Sequence, residues 1–84
     1  MKIIYHKKFA KQRARLSPKI KTQFAERRGL FIKDPMHPLL NNHSVEKTYP
    51  GCRSINITGD YRAIFSEFAG GVMFVNIGTH AELY

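Results

Sequence analysis

The fold is decided by the stretch Arg53-Ser54-Ile55-Asn56-Ile57-Thr58-Gly59-Asp60-Tyr61-Arg62, in which two alternating segments flank a turn. Ile55 and Ile57 share one face of the first segment and polar residues share the other, as in a half-buried strand. The Gly-Asp pair suits a turn between two strands. A second turn at Ala69-Gly70-Gly71 leads into the apolar segment Val72–Ile77. The sequence therefore predicts an antiparallel three-strand meander over residues 53–77.

The upstream half of the chain predicts one strand followed by two helices. Lys2–Tyr5 is a short apolar segment that suits a strand, and residues 7–16 show helical spacing of apolar residues. Ser17-Pro18 then begins a second helix that runs to about Lys33, because serine caps free N–H groups and proline is tolerated at the first helical position. The inner face of this second helix is predicted to contain Ile20, Phe24, Ala25, Phe31 and Ile32.

The predicted order is β-α-α-β-β-β, an α+β fold in which a two-helix hairpin packs on one face of an antiparallel sheet. The 84 residues contain no repeat and no boundary in composition, so a single domain over residues 1–84 is expected. Pro35–Gly51 lacks periodicity, and an unstructured connection of this length is more often functional than incidental. No apolar segment approaches the roughly 20 residues that span a bilayer. We expect a cytoplasmic protein with no membrane partner, which the lone Cys52 also suits.

The charge of the chain is concentrated in its first part. The net charge is +8 overall, but residues 1–33 hold eleven Lys or Arg against one acid, a net +10. Residues 34–84 hold three against five, a net −2. A basic half favours a polyanionic partner, and phosphate backbones are the commonest polyanions.

Four side chains in the second half are suited to phosphodiester chemistry. They are the imidazoles of His43 and His80, the Asp60 carboxylate and the Arg62 guanidinium. Tyr84 adds a phenol at the end of a tail that is able to fray. Imidazoles exchange protons near neutral pH, and a planar guanidinium binds phosphate oxygens. The four histidines and single cysteine show no pair at metal-ligand spacing, so we expect no metal and no cofactor.

Each of these residues also has a structural interpretation. His43 in its polar loop is also explained as a solvated side chain, and Asp60 as a turn residue. Arg62 is equally well explained by an ion pair with a nearby carboxylate, and Tyr84 by an amphipathic anchor. Such an explanation fits His80 least, because that residue lies past the last strand.

Three segments together with the order of elements resemble toxins of the RelE/ParE superfamily, and most closely its YafQ-like mRNA interferases. The segments are Asn42-His43-Ser44, the strand pair 53–62 and Ile77-Gly78-Thr79-His80-Ala81-Glu82-Leu83-Tyr84. The helical half is similar only in pattern and basic charge. The resemblance implies a bacterial toxin that enters the ribosomal A site and cleaves messenger RNA without a metal. The attacking group is then the ribose 2′-hydroxyl of the substrate itself.

The resemblance also implies roles for five residues. The catalytic histidines of the family correspond to His43, the expected base, and His80, the expected acid, with the division of roles left open. The family carboxylate corresponds to Asp60, which would orient an imidazole or hold it charged. Arg62 matches an arginine of the RelE branch and would bind the non-bridging phosphate oxygens. The terminal aromatic corresponds to Tyr84, which would donate a hydrogen bond or stack on a base.

The sequence departs from the YafQ-like pattern at Asn56, where those toxins carry a further histidine. An amide positions a substrate but transfers no proton, so more of the proton transfer should fall on His80. Asn56 and Arg53 are predicted to contact RNA. Nine basic residues of the helical half are predicted to bind ribosomal RNA with little sequence preference, so that affinity falls steeply with salt. These nine are Lys7, Lys8, Lys11, Arg13, Arg15, Lys19, Lys21, Arg27 and Arg28.

Two partners and two alternatives follow from the resemblance. The partners are the 70S ribosome with its messenger and ribosomal RNA, and a cognate antitoxin whose acidic, partly disordered segment wraps the toxin. The first alternative is a ParE-like toxin, which shares the fold but poisons DNA gyrase and has no nuclease site. The second is an inactive nucleic-acid-binding relative. The two histidines and Asp60 favour the nuclease.

Overall fold

The structure is a computed structural model that describes all of residues 1–84. It contains five strands, three α-helices and one turn of 3-10 helix at Pro38–Leu40. The elements run, in chain order, β1 (Lys2–Tyr5), α1 (Lys7–Ala14), α2 (Pro18–Lys33), β2 (His43–Ser44), β3 (Cys52–Asn56), β4 (Tyr61–Phe68), β5 (Gly71–Thr79) and α3 (His80–Leu83). None of the helices combines the length and hydropathy needed to cross a bilayer.

The strands form one sheet in the order β1-β5-β4-β3-β2. The meander β3-β4-β5 is antiparallel as predicted, and the predicted α+β fold class is confirmed. The sheet differs from the prediction at its first strand, because β1 pairs in parallel with β5 and makes the sheet mixed. The chain leaves β1 through α1 and α2 and enters the sheet again at β2, on the opposite edge, so that β1 pairs with the last strand of the meander and not with a neighbour in sequence. No local turn in the sequence specifies that pairing.

The helix boundaries follow local capping. The Ser17 hydroxyl accepts a hydrogen bond from the Ile20 N–H at 3.3 Å, and α2 ends at Lys33 as predicted. Helix α1 is two residues shorter than predicted. The predicted inner face of α2 is too wide, since Ala25 and Ile32 are exposed. Each of these two residues comes directly after a buried phenylalanine in the sequence. A step of one residue rotates the side-chain direction by about 100° around the helix axis, so both side chains point away from the face that packs on the sheet.

The main core lies between the two long helices and one face of the sheet. Five phenylalanines fill it, and their ring centroids lie 5.0–6.1 Å apart in edge-to-face and tilted contacts. On the sheet side a cross-strand row of Ile55, Ala63 and Ile77 completes the layer. The five rings belong to Phe9, Phe24, Phe31, Phe65 and Phe74.

A β-bulge in β5 changes which side chains face the core. Phe74 pairs with Phe65 and Asn76 pairs with Ile64, so Val75 has no partner on β4. Two consecutive side chains, Val75 and Asn76, therefore point away from the main core before Ile77 returns to it.

The second face of the sheet carries a smaller apolar cluster of Val45, Ile64 and Leu83. Val45 comes from the segment Pro35–Gly51, which was predicted to lack structure. Instead that segment forms the 3-10 helix and β2, and it packs against α3 on this second face. Its sequence shows no period because short turns and single contacts, rather than one long element, hold it in place.

Candidate active site

A groove of about 340 Å³ lies on the face of the sheet opposite the two long helices. Six residues line it: Asn41, His43, Val45, Arg62, His80 and Tyr84. Four of the five residues predicted to be catalytic therefore meet in one groove. The fifth, Asp60, does not line it.

The register of the strands explains why these side chains share one face. His43 on β2 lies opposite Ser54 on β3. Two residues further along β3, Asn56 lies opposite Arg62, which in turn lies opposite Gly78 on β5. Positions two apart on a strand share a face, so β2, β3 and β4 all present these residues to the side away from the main core.

His43 is exposed and its ring is oriented by one hydrogen bond. Its Nδ1 atom lies 2.8 Å from the carbonyl oxygen of Asn41, which requires the proton on Nδ1, so that in the neutral ring the lone pair is on Nε2. Asn41 adopts a left-handed conformation with φ of 45°, and this conformation directs its carbonyl at the imidazole. The sequence prediction missed Asn41; an asparagine pair beside a histidine was the signal available.

The tail that carries His80 forms a short helix, α3, rather than a frayed end. The Thr79 hydroxyl accepts from the Glu82 N–H at 3.2 Å, and the Glu82 carboxylate accepts from the Thr79 N–H at 2.7 Å. This reciprocal capping box begins α3. Helix α3 lies close over β5, since a Cβ atom on Gly78 would come within 3.1 Å of the Glu82 carboxylate.

His80 is held against the β3–β4 turn through its backbone. Its N–H donates to the carbonyl oxygen of Asp60 at 3.0 Å, and its ring centroid lies 4.8 Å from that of Tyr84. The Asp60 carboxylate makes no hydrogen bond, so the predicted contact between this carboxylate and an imidazole is absent from the structure. Asp60 contributes to the site by positioning His80 with its main chain.

Arg62 is half-buried and only part of its guanidinium is occupied. One terminal nitrogen, Nη1, donates to the carbonyl oxygens of Thr58, Gly59 and Tyr61 at 3.1–3.2 Å. The structural alternative, an ion pair with a carboxylate, is not present. Because Nε and Nη2 have no protein partner, these two donors remain available to an anion in the groove.

The comparisons with known proteins concern the fold. No protein-family model and no curated protein sequence matches the chain. Among solved structures, YafQ from E. coli strain BL21(DE3) superposes with a TM-score of 0.80 at 22% identity, covering 99% of this chain and 97% of that one. The chain has the RelE-like fold. The predicted resemblance to RelE/ParE toxins is confirmed at the level of the fold.

Two further solved structures share this RelE-like fold. The YoeB/ParE toxin from Agrobacterium tumefaciens superposes with a TM-score of 0.77 at 14% identity, covering 95% of this chain and 99% of that one. A chain of the RelB–RelE antitoxin–toxin complex from Methanococcus jannaschii superposes with a TM-score of 0.74 at 15% identity, covering 96% of this chain and 94% of that one.

The two strand residues predicted to bind RNA lie on different faces of the RelE-like sheet. Arg53 pairs with Phe65, on the side of the main core, and its Nε atom donates to the Asn42 side chain at 2.8 Å. Arg53 is therefore separated from the groove by the sheet, because alternation along β3 decides which face a residue occupies. Asn56 lies on the groove face, and its Oδ1 atom is buried without a hydrogen-bond partner.

Seven of the nine basic residues predicted to bind RNA line two grooves on the helical layer, whereas Lys19 and Arg27 line neither. Lys7, Lys8, Lys11 and Arg15 line a groove of about 520 Å³ along α1. Arg13, Lys21 and Arg28 line one of about 440 Å³ between α1 and α2.

Two of these arginines are fixed in place by one tyrosine. The Arg13 guanidinium lies 4.6 Å from the ring centroid of Tyr5, and Arg28 donates to the hydroxyl of that tyrosine at 2.9 Å. Such contacts orient a guanidinium in advance of binding.

Acidification is expected to loosen α3 through Glu82. The hydrogen bond from the Thr79 backbone N–H holds the pKa of the Glu82 carboxyl below its ordinary value of 4.5. A lowered pKa means that the stabilisation is present above the ordinary value and is lost as pH falls through the folded-state value. We expect the amide of Tyr84, which donates to the His80 carbonyl, to lose hydrogen-exchange protection on acidification.

The matched variant for this prediction is Glu82→Gln, whose amide oxygen accepts the same hydrogen bond without titrating. Exchange of the Tyr84 amide, corrected for its intrinsic pH dependence, is followed by NMR from about pH 6 to pH 3. Protection should fall in the native chain and stay level in the variant. An equal loss in both proteins would show that another group causes it.

Proposed function

We propose that this protein is the toxin of a type II toxin–antitoxin pair and an endoribonuclease that cleaves messenger RNA in the ribosomal A site. The observation that carries the proposal is the convergence of His43, His80 and Arg62 in one groove. The similar folds of proteins described as toxins support the toxin role. They do not carry the chemistry, because one fold hosts different functions.

The proposed reaction is an internal attack within the RNA strand. The Nε2 atom of His43 accepts the proton of the ribose 2′-hydroxyl, and the 2′-oxygen forms a bond to the adjacent phosphorus. The bond from phosphorus to the 5′-oxygen breaks, and His80 gives a proton to that departing oxygen. The products end in a 2′,3′-cyclic phosphate and a 5′-hydroxyl. The free Nε2 of His43 supports its assignment as the base.

The other residues of the groove bind and orient. The free Nε and Nη2 donors of Arg62 stabilise the negative charge that gathers on the phosphate oxygens. Tyr84 is exposed over nearly half of its surface and offers a ring on which an unstacked base can lie. Asn56 lies on the same face of the sheet, where its amide oxygen is buried and does not line the groove.

The basic residues of the helical layer are assigned to docking of the protein on the ribosome. The two grooves of this layer bind the phosphate backbone of ribosomal RNA, and the held guanidiniums of Arg13 and Arg28 are suited to phosphate oxygens. An acidic segment of a cognate antitoxin competes for the same charge. The DinJ–YafQ and RelB–RelE complexes are precedents for an antitoxin bound to this fold.

The chemistry is tested by mapping RNA ends. Purified ribosomes programmed with one messenger are incubated with the protein, and the products are analysed for 2′,3′-cyclic phosphate and 5′-hydroxyl ends. A messenger carrying 2′-deoxyribose at the cleaved nucleotide should resist cleavage. Intact messenger together with gyrase-linked DNA breaks would instead assign the protein to the ParE-like alternative. Binding to RNA with neither reaction would favour the inactive relative.

Replacing Arg62 with lysine is expected to lower the cleavage rate by about 10- to 100-fold, because a single ammonium cannot reproduce a planar fork of donors. The matched control is Arg53→Lys, which makes the same change on the opposite face of the sheet. The rates are measured at saturating toxin on programmed ribosomes. Equal losses of cleavage rate in both variants would mean that the loss does not depend on the position of Arg62 in the groove.

A further inference from the structure

Tyr49 occupies a well-defined place beside the candidate site, although neither its sequence context nor the proposed chemistry assigns it a role. It lies in the segment before β3, where its N–H donates to the Val45 carbonyl at 2.8 Å. Its own carbonyl accepts from the Cys52 N–H at 3.0 Å. These two hydrogen bonds hold the backbone of Tyr49 in place on both sides of the side chain.

The side chain of Tyr49 contacts the last turn of α3 in two ways. Its hydroxyl donates to the carbonyl oxygen of Leu83 at 2.7 Å. Its ring meets the ring of Tyr84 edge to face, with centroids 6.0 Å apart. A helix of four residues is unstable by itself and ends in carbonyls without helical partners. Tyr49 supplies one of those partners.

The Tyr49 hydroxyl is itself held by hydrogen bonds that begin on α1. Asn76 donates to it through Nδ2 at 3.4 Å, and Gln12 donates to the Asn76 amide oxygen at 2.5 Å. The Gln12 amide oxygen accepts from the N–H of Ile77 at 2.9 Å. The bulge at Val75 makes this arrangement possible, because it directs Asn76 away from the main core.

Two properties of Tyr49 keep it a donor. The Tyr49 hydroxyl is protonated at neutral pH, since its pKa is ordinarily 10.0 and burial raises that pKa further. The hydrogen bond received from Asn76 uses an acceptor lone pair and leaves that proton free for donation.

We propose that Tyr49 is a positioning residue, which holds α3 against the sheet so that His80 and Tyr84 stay at the groove. The hydrogen bonds that hold α3 lead from Gln12 to Asn76, from Asn76 to Tyr49, and from Tyr49 to the Leu83 carbonyl. The catalytic consequence of this positioning rests on the proposed function, whereas the positioning itself is measurable in the isolated protein.

The test uses Tyr49→Phe, which keeps the ring and removes only the hydroxyl. Tyr61→Phe is the matched control, because Tyr61 is half-buried, lines the same cavity of about 470 Å³ and makes no side-chain hydrogen bond. We expect the hydrogen of the Tyr84 amide to exchange about tenfold faster in Tyr49→Phe, which corresponds to the loss of one hydrogen bond. The NOE contacts between the His80 and Tyr84 rings should weaken in Tyr49→Phe alone.

The activity readout separates positioning from binding and from stability. In Tyr49→Phe, the cleavage rate at saturating toxin should fall about tenfold, while half-saturation by ribosomes changes less than about twofold. Unchanged exchange and unchanged NOE contacts would overturn the proposal. If α3 loosens but the native protein cleaves no messenger, the positioning role stands and the nuclease assignment fails. Loosening of α3 with undiminished cleavage would overturn the catalytic part.

Discussion

Replacing His80 with alanine is expected to reduce messenger cleavage by about 10²- to 10⁴-fold, the usual contribution of a general acid or base. The side chain is exposed, and the contact that holds the residue is its backbone N–H to the Asp60 carbonyl, which alanine retains. The melting temperature should therefore change little. The measurement is the rate of appearance of 5′-hydroxyl ends on programmed ribosomes.

Two further variants make this prediction specific. His80→Gln keeps a polar side chain of similar size but transfers no proton, so it should lose activity as the alanine variant does. His37→Asn changes a histidine that lines none of the grooves and retains a side-chain acceptor for the N–H of Leu39 in the 3-10 helix. It should cleave at the native rate. Native activity in both His80 variants would remove His80 from the mechanism.

Replacing Gly71 with alanine is expected to destabilise the fold by about 3 kcal/mol and to lower the melting temperature by roughly 15 °C. A Cβ atom at this position would overlap the backbone carbonyl of Lys2, its partner on β1. Backbone cannot move aside as a flexible side chain can, so the parallel pair β1–β5 must separate. Thermal unfolding followed by circular dichroism measures the loss.

Gly29→Ala is the control with the opposite expected sign. Gly29 lies in α2, and a Cβ atom there meets nothing within 4 Å. Alanine should stabilise the helix by about 0.5–1 kcal/mol, because it restricts the unfolded chain without a clash. A similar loss of stability in both variants would mean that the effect is not a clash with β1.

The elements that were predicted well are those decided by neighbours in sequence. β1 and α2 have the predicted bounds because an apolar run and a Ser-Pro start act over a few residues. The Gly59-Asp60 turn brings β3 and β4 together in the predicted order. The width of the inner face of α2 was predicted wrongly, because the number of rows that become buried depends on how the helix lies on the sheet.

The candidate site was predicted in its residue types more than in its contacts. His43, Arg62, His80 and Tyr84 lie in one groove, but Arg53 lies behind the sheet. The family resemblance predicted a role for the Asp60 carboxylate, whereas in the structure the main-chain carbonyl of Asp60 makes the contact, with the N–H of His80. Main-chain hydrogen bonds of this kind cannot be predicted from the residue types, because every residue carries the same backbone groups.

The sequence by itself determined the α+β class, the meander, the basic helical layer and the pair of histidines, because periodicity, turn residues and charge are local properties. The tertiary structure alone decided that β1 runs parallel to β5, that the Asp60 carbonyl holds the start of α3, and that Tyr49 reaches its last turn. Each of these depends on groups far apart in the chain. These contacts follow from the packing of the sheet, and the Tyr49 contact depends also on the bulge at Val75.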